Sequence, residues 1–516
     1  MINTKKVSRN TSWMALSLAG ALVIAGCTTT PEPLAEAELS AIADDREARS
    51  IPADQEPVTG PIDLYSAMAR AIKFNLDHQV ELKEEALRFE EFELSEYEML
   101  PDLVASANYT GRSNSPGASS VSLLTGTQSL EPSRSTERNV LDADLTLSWD
   151  ILDFGLSYVR SKQEADEVLI ALEQRRSAIN RVIEDVRTAY WRAVSAERLL
   201  GRLAELQREV SVALEQSERL AARRVSSPLA SLTYQRDLLT IHRSVQELRR
   251  DLAIAKNQLA ALMNVPQNQD YDLVIPERSQ LEAPIVGQSA EDLAKLAFRN
   301  RPELREITYR LRINEREYDV ALLEALPSIR GFLGVNASTN DFLFNQNWVS
   351  YGARASWNLM NIFRYPQREE TVAAGSALLD ARALALTQAI ATQVYVSKAR
   401  VISLSDELTT TSKLNNVNSE IARQTSARVR AGAAGTREGI REELNAILAE
   451  LRHDVAYADL QNAFANLYAS VGLDAYAPGL TGDEPVADMA AALRNMWQER
   501  GDTSARVFDL SAASGS

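Results

Sequence analysis

The stretch TAYWRAVSAERLLGRLAELQREV (residues 188–210) belongs to a long run without proline, from about Phe154 to Ser226, that decides the fold. Apolar residues recur along this run at three- and four-residue steps, which is the periodicity of an α-helix. A helix of ~70 residues spans ~105 Å. A globular domain cannot cover a rod of that length, so the helix must lie against other long helices in a coiled coil or a tall bundle.

The chain repeats one plan of elements. A helix over 62–100 ends at Pro101, a hairpin of two alternating strands follows, and after the long run comes a half-length helix over 229–263. The second copy has a helix over 290–326, a hairpin, a long helix over 363–431 and a half helix over 436–471. Four residue pairs correspond at offsets of about 205 to 225, as expected for a duplication: Asn75 and Asn300, Pro101 and Pro327, Trp149 and Trp357, Val265 and Leu473.

These boundaries divide the chain into six parts. We predict a signal peptide (1–26), a lipidated linker with little fixed structure (27–61), a first repeat (62–264), an equatorial connection at mid-height of the long helices (265–289), a second repeat (290–474) and a C-terminal equatorial segment with a short helix over 486–499 and a disordered tail (475–516). The predicted strands lie at about 102–113 and 139–149 in the first repeat, and at about 328–338 and 347–357 in the second.

The strands indicate a membrane channel. They have the length of tilted transmembrane strands and one apolar face each. Four strands cannot close a barrel, and lipid does not tolerate open sheet edges. Two chains would form a filled barrel of eight strands, whereas three would form a barrel of twelve with room for a pore. We therefore predict an α+β membrane channel with four strands and four helical columns per chain, in which three copies would give a trimeric 12-strand β-barrel that continues into a 12-helix α-barrel.

Aromatic residues near the strand ends are predicted to form a belt at the membrane borders, where amphipathic rings are favoured. The alternative is the core of an ordinary β-sandwich. The belt residues are Tyr109, Trp149, Trp348, Tyr351 and Trp357.

The N-terminus has the features of an exported lipoprotein. Basic residues precede an apolar stretch from Trp13 to Ala25, which is too short to span a bilayer. Cys27, the only cysteine, follows small residues and resembles the acylated cysteine of the bacterial lipoprotein signal. We predict lipidation of Cys27, with a palmitate chain, and anchoring in the outer membrane of a Gram-negative bacterium. The alternative is an ordinary secretory signal with an incidental cysteine.

Composition and motif content favour neither an enzyme nor a nucleic-acid-binding protein. The 516 residues carry a formal net charge of −16, whereas a nucleic-acid surface requires a basic stripe. His78, His242 and His453 lie in separate helices without partners at ligand spacing. No nucleophile–base set or metal cluster is present in the sequence, so we predict no catalytic residue, no metal and no cofactor.

Several motifs together resemble those of the TolC-like outer-membrane efflux proteins. They are FRNRPEL (298–304), the strand-to-helix junction LSWDILDFG (147–155) and the helix-to-strand junctions LPD (100–102) and LPS (326–328). The resemblance implies a homotrimeric channel-tunnel in the outer membrane that extends into the periplasm. It also implies a passive exit duct of a tripartite efflux pump or a type I secretion system, joined to a periplasmic adaptor (membrane fusion) protein and an inner-membrane RND, ABC or MFS transporter.

The resemblance also places a gate at the two periplasmic turns, over about 223–237 and 428–445, where the tube closes and the adaptor binds. We hypothesise that Glu442 or Glu443 forms a three-fold carboxylate ring held closed by arginine pairs. A solvated charged tip is the alternative. The candidate residues are Arg223, Arg224, Pro228, Arg428, Arg430, Gly435, Arg437, Glu438, Arg441, Glu442 and Glu443.

A second function is compatible with the long helices. The chain could be a structural coiled-coil lipoprotein of the outer membrane without a transport role. The two hairpins argue against this alternative, because a tether needs no amphipathic strands.

Overall fold

The computed structural model describes residues 32–51, 55–129, 131–223, 228–266, 269–277, 286–476, 480 and 482–502. The chain divides into two compact units, one ending at Gln55 and the other beginning at Glu56. In the first unit Glu36–Ser50 form helix α1. The prediction of a linker with little fixed structure is therefore wrong for this stretch, which is rich in Ala and Glu and contains no proline. The predicted signal peptide, Cys27 and residues 503–516 lie outside the described residues.

The second unit contains the duplicated elements. In the first repeat they are α2 (Leu64–Phe74), α3 (Leu76–Tyr97), β1 (Asp102–Gly111), β2 (Asn139–Asp150), α4 (Ile151–Ala222) and α5 (Pro228–Leu262). In the second repeat they are α6 (Ala290–Asn300), α7 (Pro302–Glu324), β3 (Ser328–Ser338), β4 (Asn347–Ser356), α8 (Met360–Arg430) and α9 (Thr436–Ser470), followed by α10 (Val486–Asp502).

The two long helices are confirmed. Helix α4 has 72 residues and α8 has 71, so each is ~105 Å long. Helix α4 begins directly after β2, because Asp150 Oδ1 accepts hydrogen bonds from the backbone N–H groups of Leu152 (2.9 Å) and Asp153 (3.5 Å). The strand therefore continues into the helix without a loop.

The strands form one antiparallel sheet in the order β1-β2-β3-β4. Leu103 pairs with Leu147, Leu147 with Leu333, and Leu333 with Tyr351, so one apolar row crosses all four strands. Residues of the opposite parity form a second, mostly polar face. Within the described chain β1 and β4 are edge strands, each paired on one side only.

The helices form a row in the same order as the strands. Near the sheet α4 packs between α3 and α7, and α8 packs on α7. Further from the sheet α4 packs between α5 and α9, and α8 packs on α9. Columns of half helices stand end to end: Asn75 Nδ2 at the start of α3 donates to the Leu262 carbonyl at the end of α5 (3.1 Å). Four columns per chain result, as predicted.

The helices predicted over 62–100 and 290–326 are each broken once, so that prediction of two continuous helices is wrong. Asn75 ends α2 and caps α3, accepting from the N–H groups of Asp77 (3.0 Å) and His78 (3.2 Å). Arg301 precedes Pro302, which disfavours a helical conformation at the residue before it. Asn75 (φ −66°, ψ 127°) and Arg301 (φ −65°, ψ 126°) share one conformation. The structural equivalent of Asn75 is therefore Arg301, not Asn300.

An equatorial core surrounds the middle of α4. Helices α2 and α10 pack together there, and α6 packs on α8. The Tyr190 hydroxyl donates to the Val274 carbonyl (2.9 Å), which fastens the connection between the repeats onto α4. Trp191 packs edge-on against Tyr457, with ring centroids 4.9 Å apart. The C-terminal helix docks through Trp497 Nε1, which donates to the Ala475 carbonyl (3.2 Å).

Candidate functional site at the helical tip and on the sheet

The turn between α8 and α9 lies at the end of the helices furthest from the sheet. Gly432 has φ +69°, and the N–H of Ala433 donates to the Arg428 carbonyl (2.8 Å) to close the end of α8. Gly435, which was the predicted glycine, has an ordinary φ of −82°, and a Cβ added there would have nothing within 4 Å. The left-handed conformation therefore requires glycine at 432.

Two of the predicted arginines at this tip form ion pairs that connect neighbouring helices. Arg428 Nη1 lies 3.7 Å from Glu438 Oε1, which joins α8 to α9. Arg437 Nη1 lies 3.6 Å from Asp237 Oδ2, which joins α9 to α5. The Arg437 guanidinium also lies 5.8 Å from the ring centre of Tyr234. The second pair connects the half helices of the two repeats.

The candidate ring carboxylates both have partners within their own chain. Glu442 contacts Arg441 (3.1 Å) and accepts from Asn445 Nδ2 (3.2 Å). Glu443 contacts Arg202 of α4 at 2.5 Å.

Arg202 holds two carboxylates, because Glu450 also lies 2.6 Å from its guanidinium. Burial alone would lower the pKa of Arg202, but the hydrogen bonds to Glu443 and Glu450 raise it. This arginine therefore stays charged and joins α4 to α9.

A cleft of about 610 Å³ opens between α4, α8 and α9 next to this cluster. Glu205, Glu209 and Glu443 line it together with Arg208 and Arg430. The pKa of Glu209 is raised, first by burial and then by repulsion from the other two carboxylates. The tip is thus an acidic surface crossed by arginines.

The structure brings most of the predicted tip residues together. Arg223 caps the end of α4 and Pro228 begins α5, both exposed, while Arg224 lies outside the described residues. Arg430 Nε is 3.4 Å from the Ser426 carbonyl. The sequence did not single out Arg202, Asp237 or Glu450, because their partners lie on other helices and no local pattern marks them.

The predicted aromatic residues lie at three different positions along the strands: at the end next to the helices, in the middle and at the opposite end. Trp149 and Trp357 lie at the helical end, where Trp149 packs edge-on against Phe154 (5.5 Å) and Trp357 Nε1 donates to the Ala325 carbonyl (2.9 Å). Tyr109 pairs with Leu141 near the opposite end. Trp149, Trp357 and Tyr109 thus agree with the predicted location near strand ends.

Two of the predicted belt positions differ from expectation. Tyr351 pairs with Leu333 in the middle of β4, not near a strand end. Trp348 pairs with Asn336 and so belongs to the polar face. Alternation along the chain determines the parity of each residue within a strand, but the pairing register decides how far along the sheet that residue lies.

Other side chains with chemical potential are distributed as single groups. Across the described residues, no three His, Cys, Asp or Glu side chains converge where a metal ion could bind. His78 is buried, with Nδ1 2.6 Å from the Ile72 carbonyl oxygen, and His453 is buried on α9. Within the same residues, no helix combines the length and the apolar character needed to cross a membrane.

Comparison with known proteins gives a match in fold. No family model and no curated protein sequence matches the chain. The CmeC outer membrane channel of Campylobacter jejuni matches with a TM-score of 0.62 and 13% identity, over 94% of this chain and 98% of its own. The open-state MtrE channel of Neisseria gonorrhoeae matches with a TM-score of 0.59 and 17% identity, over 82% and 95%. The outer membrane protein VceC of Vibrio cholerae matches with a TM-score of 0.58 and 12% identity, over 79% and 96%.

The chain therefore has the fold of the outer-membrane channels, in agreement with the predicted TolC-like fold. Each of these matched structures is covered almost completely.

Proposed function

We propose that the chain forms a trimeric outer-membrane channel-tunnel that acts as the passive exit duct of a tripartite efflux pump or a type I secretion system. One observation carries the proposal. The sheet and the helices are rows of four in the same order, and both rows end in unpartnered edges within the described chain. A further copy at each edge would continue both rows at once, which produces a β-barrel above an α-barrel.

The difference between the two long helices supports closure by further copies. Helix α4 has neighbours on both sides and buries 25 of its 72 residues. Helix α8 has neighbours on one side within the described chain and buries 7 of its 71 residues. Large apolar side chains on α8 are exposed, among them Phe363, Leu384, Tyr395, Val396, Ile402 and Val417. Three copies give twelve strands, the number that leaves room for a pore.

The apolar face of the sheet supports a location in the outer membrane, because a closed barrel presents that face to lipid. Six of its exposed members are Leu103, Leu145, Leu147, Leu333, Val335 and Val349. The helices would then extend into the periplasm, with Cys27 lipidated as an additional anchor. A structural lipoprotein without transport is the weaker candidate, since it has no use for a sheet of this kind.

The proposed function requires partner proteins that bind at the helical tip. A periplasmic adaptor protein would bind around the turns of α4–α5 and α8–α9, and would connect the duct to an RND, ABC or MFS transporter in the inner membrane. We expect no nucleic acid, no cofactor and no chemistry in this chain. The name of the MtrE structure specifies an open state, which supports a gate in channels of this fold.

The proposed function is tested by mass and conductance. Protein purified in detergent should have the protein mass of three chains, and in a planar lipid bilayer it should produce discrete conductance steps. Two single variants, Asp237→Asn and Arg437→Gln, test the gate. Each should raise the mean conductance, because each removes the ion pair that joins α9 to α5. The matched control is Glu420→Gln, which removes an ion pair on the surface of α8. Monomeric protein without conductance steps would refute the proposed function.

The carboxylate ring has its own test. We propose that Glu442 and Glu443 from three copies attract cations at the tip, so Glu442→Gln combined with Glu443→Gln should reduce cation selectivity and block by multivalent cations. Glu450→Gln is the control, since Glu450 shares the Arg202 partner but lies further along α9. Unchanged selectivity and unchanged block in the double variant would remove the ring hypothesis.

A further inference from the structure

The duplication is visible in the strand register, residue by residue. Asp102 pairs with Ser148 in the first hairpin, and Ser328 pairs with Ser356 in the second. These pairs are related by 226 residues on the first strand (328 − 102) and 208 residues on the second (356 − 148). The two hairpins therefore have one register.

The same offset of 208 relates the junctions after the hairpins. Asp150 Oδ1 accepts from the N–H of Leu152 (2.9 Å), and Asn358 Oδ1 accepts from the N–H of Met360 (3.2 Å). The equivalence of β2 with β4 thus rests on side-chain hydrogen bonds as well as on strand pairing.

The β2–β3 junction joins the end of one repeat to the start of the next. In this junction Ser148 pairs with Phe332, and Trp149 pairs with Gly331. A junction between copies would join the same two parts, because β4 ends a repeat and β1 begins one. Equivalent elements with equivalent edges are expected to pair in an equivalent register.

We infer that, between copies, β4 pairs with β1 of the partner subunit in the register of the β2–β3 junction, with Arg354 opposite Asn108 of the partner subunit and able to form an ion pair with Asp142 of the partner subunit. This inference rests on the proposed trimer and names its contact. Applying the offsets to Ser148–Phe332 places Ser356 opposite Ser106 of the partner subunit.

This register keeps the apolar face continuous. It pairs odd-numbered residues of β4 with odd-numbered residues of β1, as all pairs within the chain do. Trp357 would lie opposite Ala105 of the partner subunit, just as Trp149 lies opposite Gly331. A small residue therefore faces the indole at both junctions.

The charges favour the same register. Arg354 lies directly opposite Arg330, which is held by Asp150 (3.4 Å) and Asp153 (3.2 Å). Arg354 itself has no ion pair within the described residues, and repulsion from Arg330 disfavours a side-chain position toward β3.

The carboxylate that Arg354 would meet is Asp142. Asp142 pairs with Asn108 and also has no ion pair within the described residues. In the inferred register it lies two strands from Arg354, ~9.5 Å between Cα atoms. The reach of an arginine side chain covers that separation. A flush register, with Ser356 opposite Asp102, would instead place Arg354 opposite Val104 of the partner subunit.

Paired cysteines distinguish the two registers. Ser356→Cys with Ser106→Cys should form disulfide-linked dimers and trimers under mild oxidation in native outer membranes, because directly opposite residues satisfy disulfide geometry. Ser356→Cys with Asp102→Cys should not, because four residues along a strand add ~13 Å. Ser148→Cys with Phe332→Cys calibrates the equivalent junction within one chain. Each single variant, with Cys27 retained, gives the background.

The outcomes separate this inference from the proposed function. If the mass in detergent is that of a monomer, the trimer itself is wrong and the inference fails with it. If the protein is trimeric but the 356–106 pair remains uncrosslinked, or the 356–102 pair crosslinks, the trimer stands and the inferred register is wrong.

Charge exchange tests the ion pair separately. Arg354→Asp should lower the temperature at which the trimer dissociates in SDS, and adding Asp142→Arg should restore it. Arg354→Asp combined with Asp144→Arg is the matched control. Asp144 lies two residues from Asp142 on the same face of β2, and it is already bound by the hydroxyls of Ser106 and Thr146. Equal recovery by both double variants, or recovery by neither, would contradict the Arg354–Asp142 pair.

Discussion

At the scale of single residues, Gly472 shows how tightly the equatorial core fits. It ends α9 with φ +80°, and a Cβ at this position would lie 2.5 Å from the carbonyl carbon of Asn300. Its equivalent in the first repeat, Asn264, has φ 53°. The left-handed conformation is therefore a property of both repeats, and at Gly472 the backbone of Asn300 and Arg301 lies against it.

Gly472→Ala should destabilise the protein more than a positive φ alone explains. We expect a loss of about 1 kcal/mol from the backbone conformation and at least about 2 kcal/mol more from the clash with Asn300. Gly482→Ala is the control, since Gly482 has φ +95° but nothing within 4 Å of a Cβ. Unfolding in urea measures both. Equal losses in the two variants would show that the backbone of Asn300 can move away.

His78 makes stability depend on pH. Burial lowers its pKa from 6.5, although the Ile72 carbonyl favours the protonated form, and the nearby Arg175 lowers the pKa further. The unfolded state therefore binds a proton more readily than the folded state. The stability contributed by neutral His78 is present above pH 6.5 and is lost as the pH falls below it.

His78→Gln should thus reduce the loss of thermal stability between pH 7 and pH 5. His242→Gln, on α5, is the matched control for the loss of one histidine. Melting curves at a series of pH values measure the effect. An unchanged slope in His78→Gln would assign the pH dependence to other groups.

At the scale of elements, a charged clamp fastens α7 to α4. The Asp166 carboxylate of α4 is buried and contacts the guanidinium groups of Arg312 and Arg316 on α7. On its other side α7 is bound to α8, since Asn314 Nδ2 donates to the Val372 carbonyl (3.0 Å) and to Ser376 Oγ (2.8 Å). Helix α7 therefore joins the two long helices below the sheet.

Asp166→Asn should weaken this clamp. Removing one partner of a buried pair leaves the remaining charges uncompensated, and the partial exposure of both arginines reduces the cost to about 1–3 kcal/mol. Glu420→Gln, which breaks the exposed pair with Arg423, should leave the melting temperature unchanged. Thermal unfolding compares the two. A loss of stability in Glu420→Gln as large as that in Asp166→Asn would contradict the role of burial.

The elements were largely predictable because their signals are local. The long helices, the strands and the order of the duplication follow from periodicity and from prolines at the junctions. The breaks at Asn75 and Arg301 were missed because apolar periodicity continues across them, while a capping side chain or the following proline ends the helix. Of the tip residues, Arg202 could not be found because it contacts Glu443, which lies 241 positions further along the chain.

At the scale of the whole molecule, the two faces of the sheet should respond oppositely to a charged substitution at neighbouring residues. Val335 belongs to the apolar face and Asn336 to the polar face of β3. If the apolar face meets lipid, Val335→Arg should cost about 2–4 kcal/mol near the bilayer midplane, and Asn336→Arg should be tolerated. The yield of SDS-resistant trimer in outer membranes measures assembly. Equal yields, or a loss only in Asn336→Arg, would contradict the proposed orientation.

The sequence by itself determined the long helices, the amphipathic strands, the duplication and the TolC-like fold, because periodicity, prolines and junction motifs act over a few residues at a time. Only the tertiary structure decided the pairing register, the level of Tyr351 within the sheet and the partners of the tip carboxylates. These depend on contacts between residues far apart in the chain. The long run around residues 188–210 specified a long helix that must pack against other helices. In the structure α4 has a neighbouring helix on both sides, near the sheet and further from it, whereas α8 lacks a neighbour on one side within the described chain.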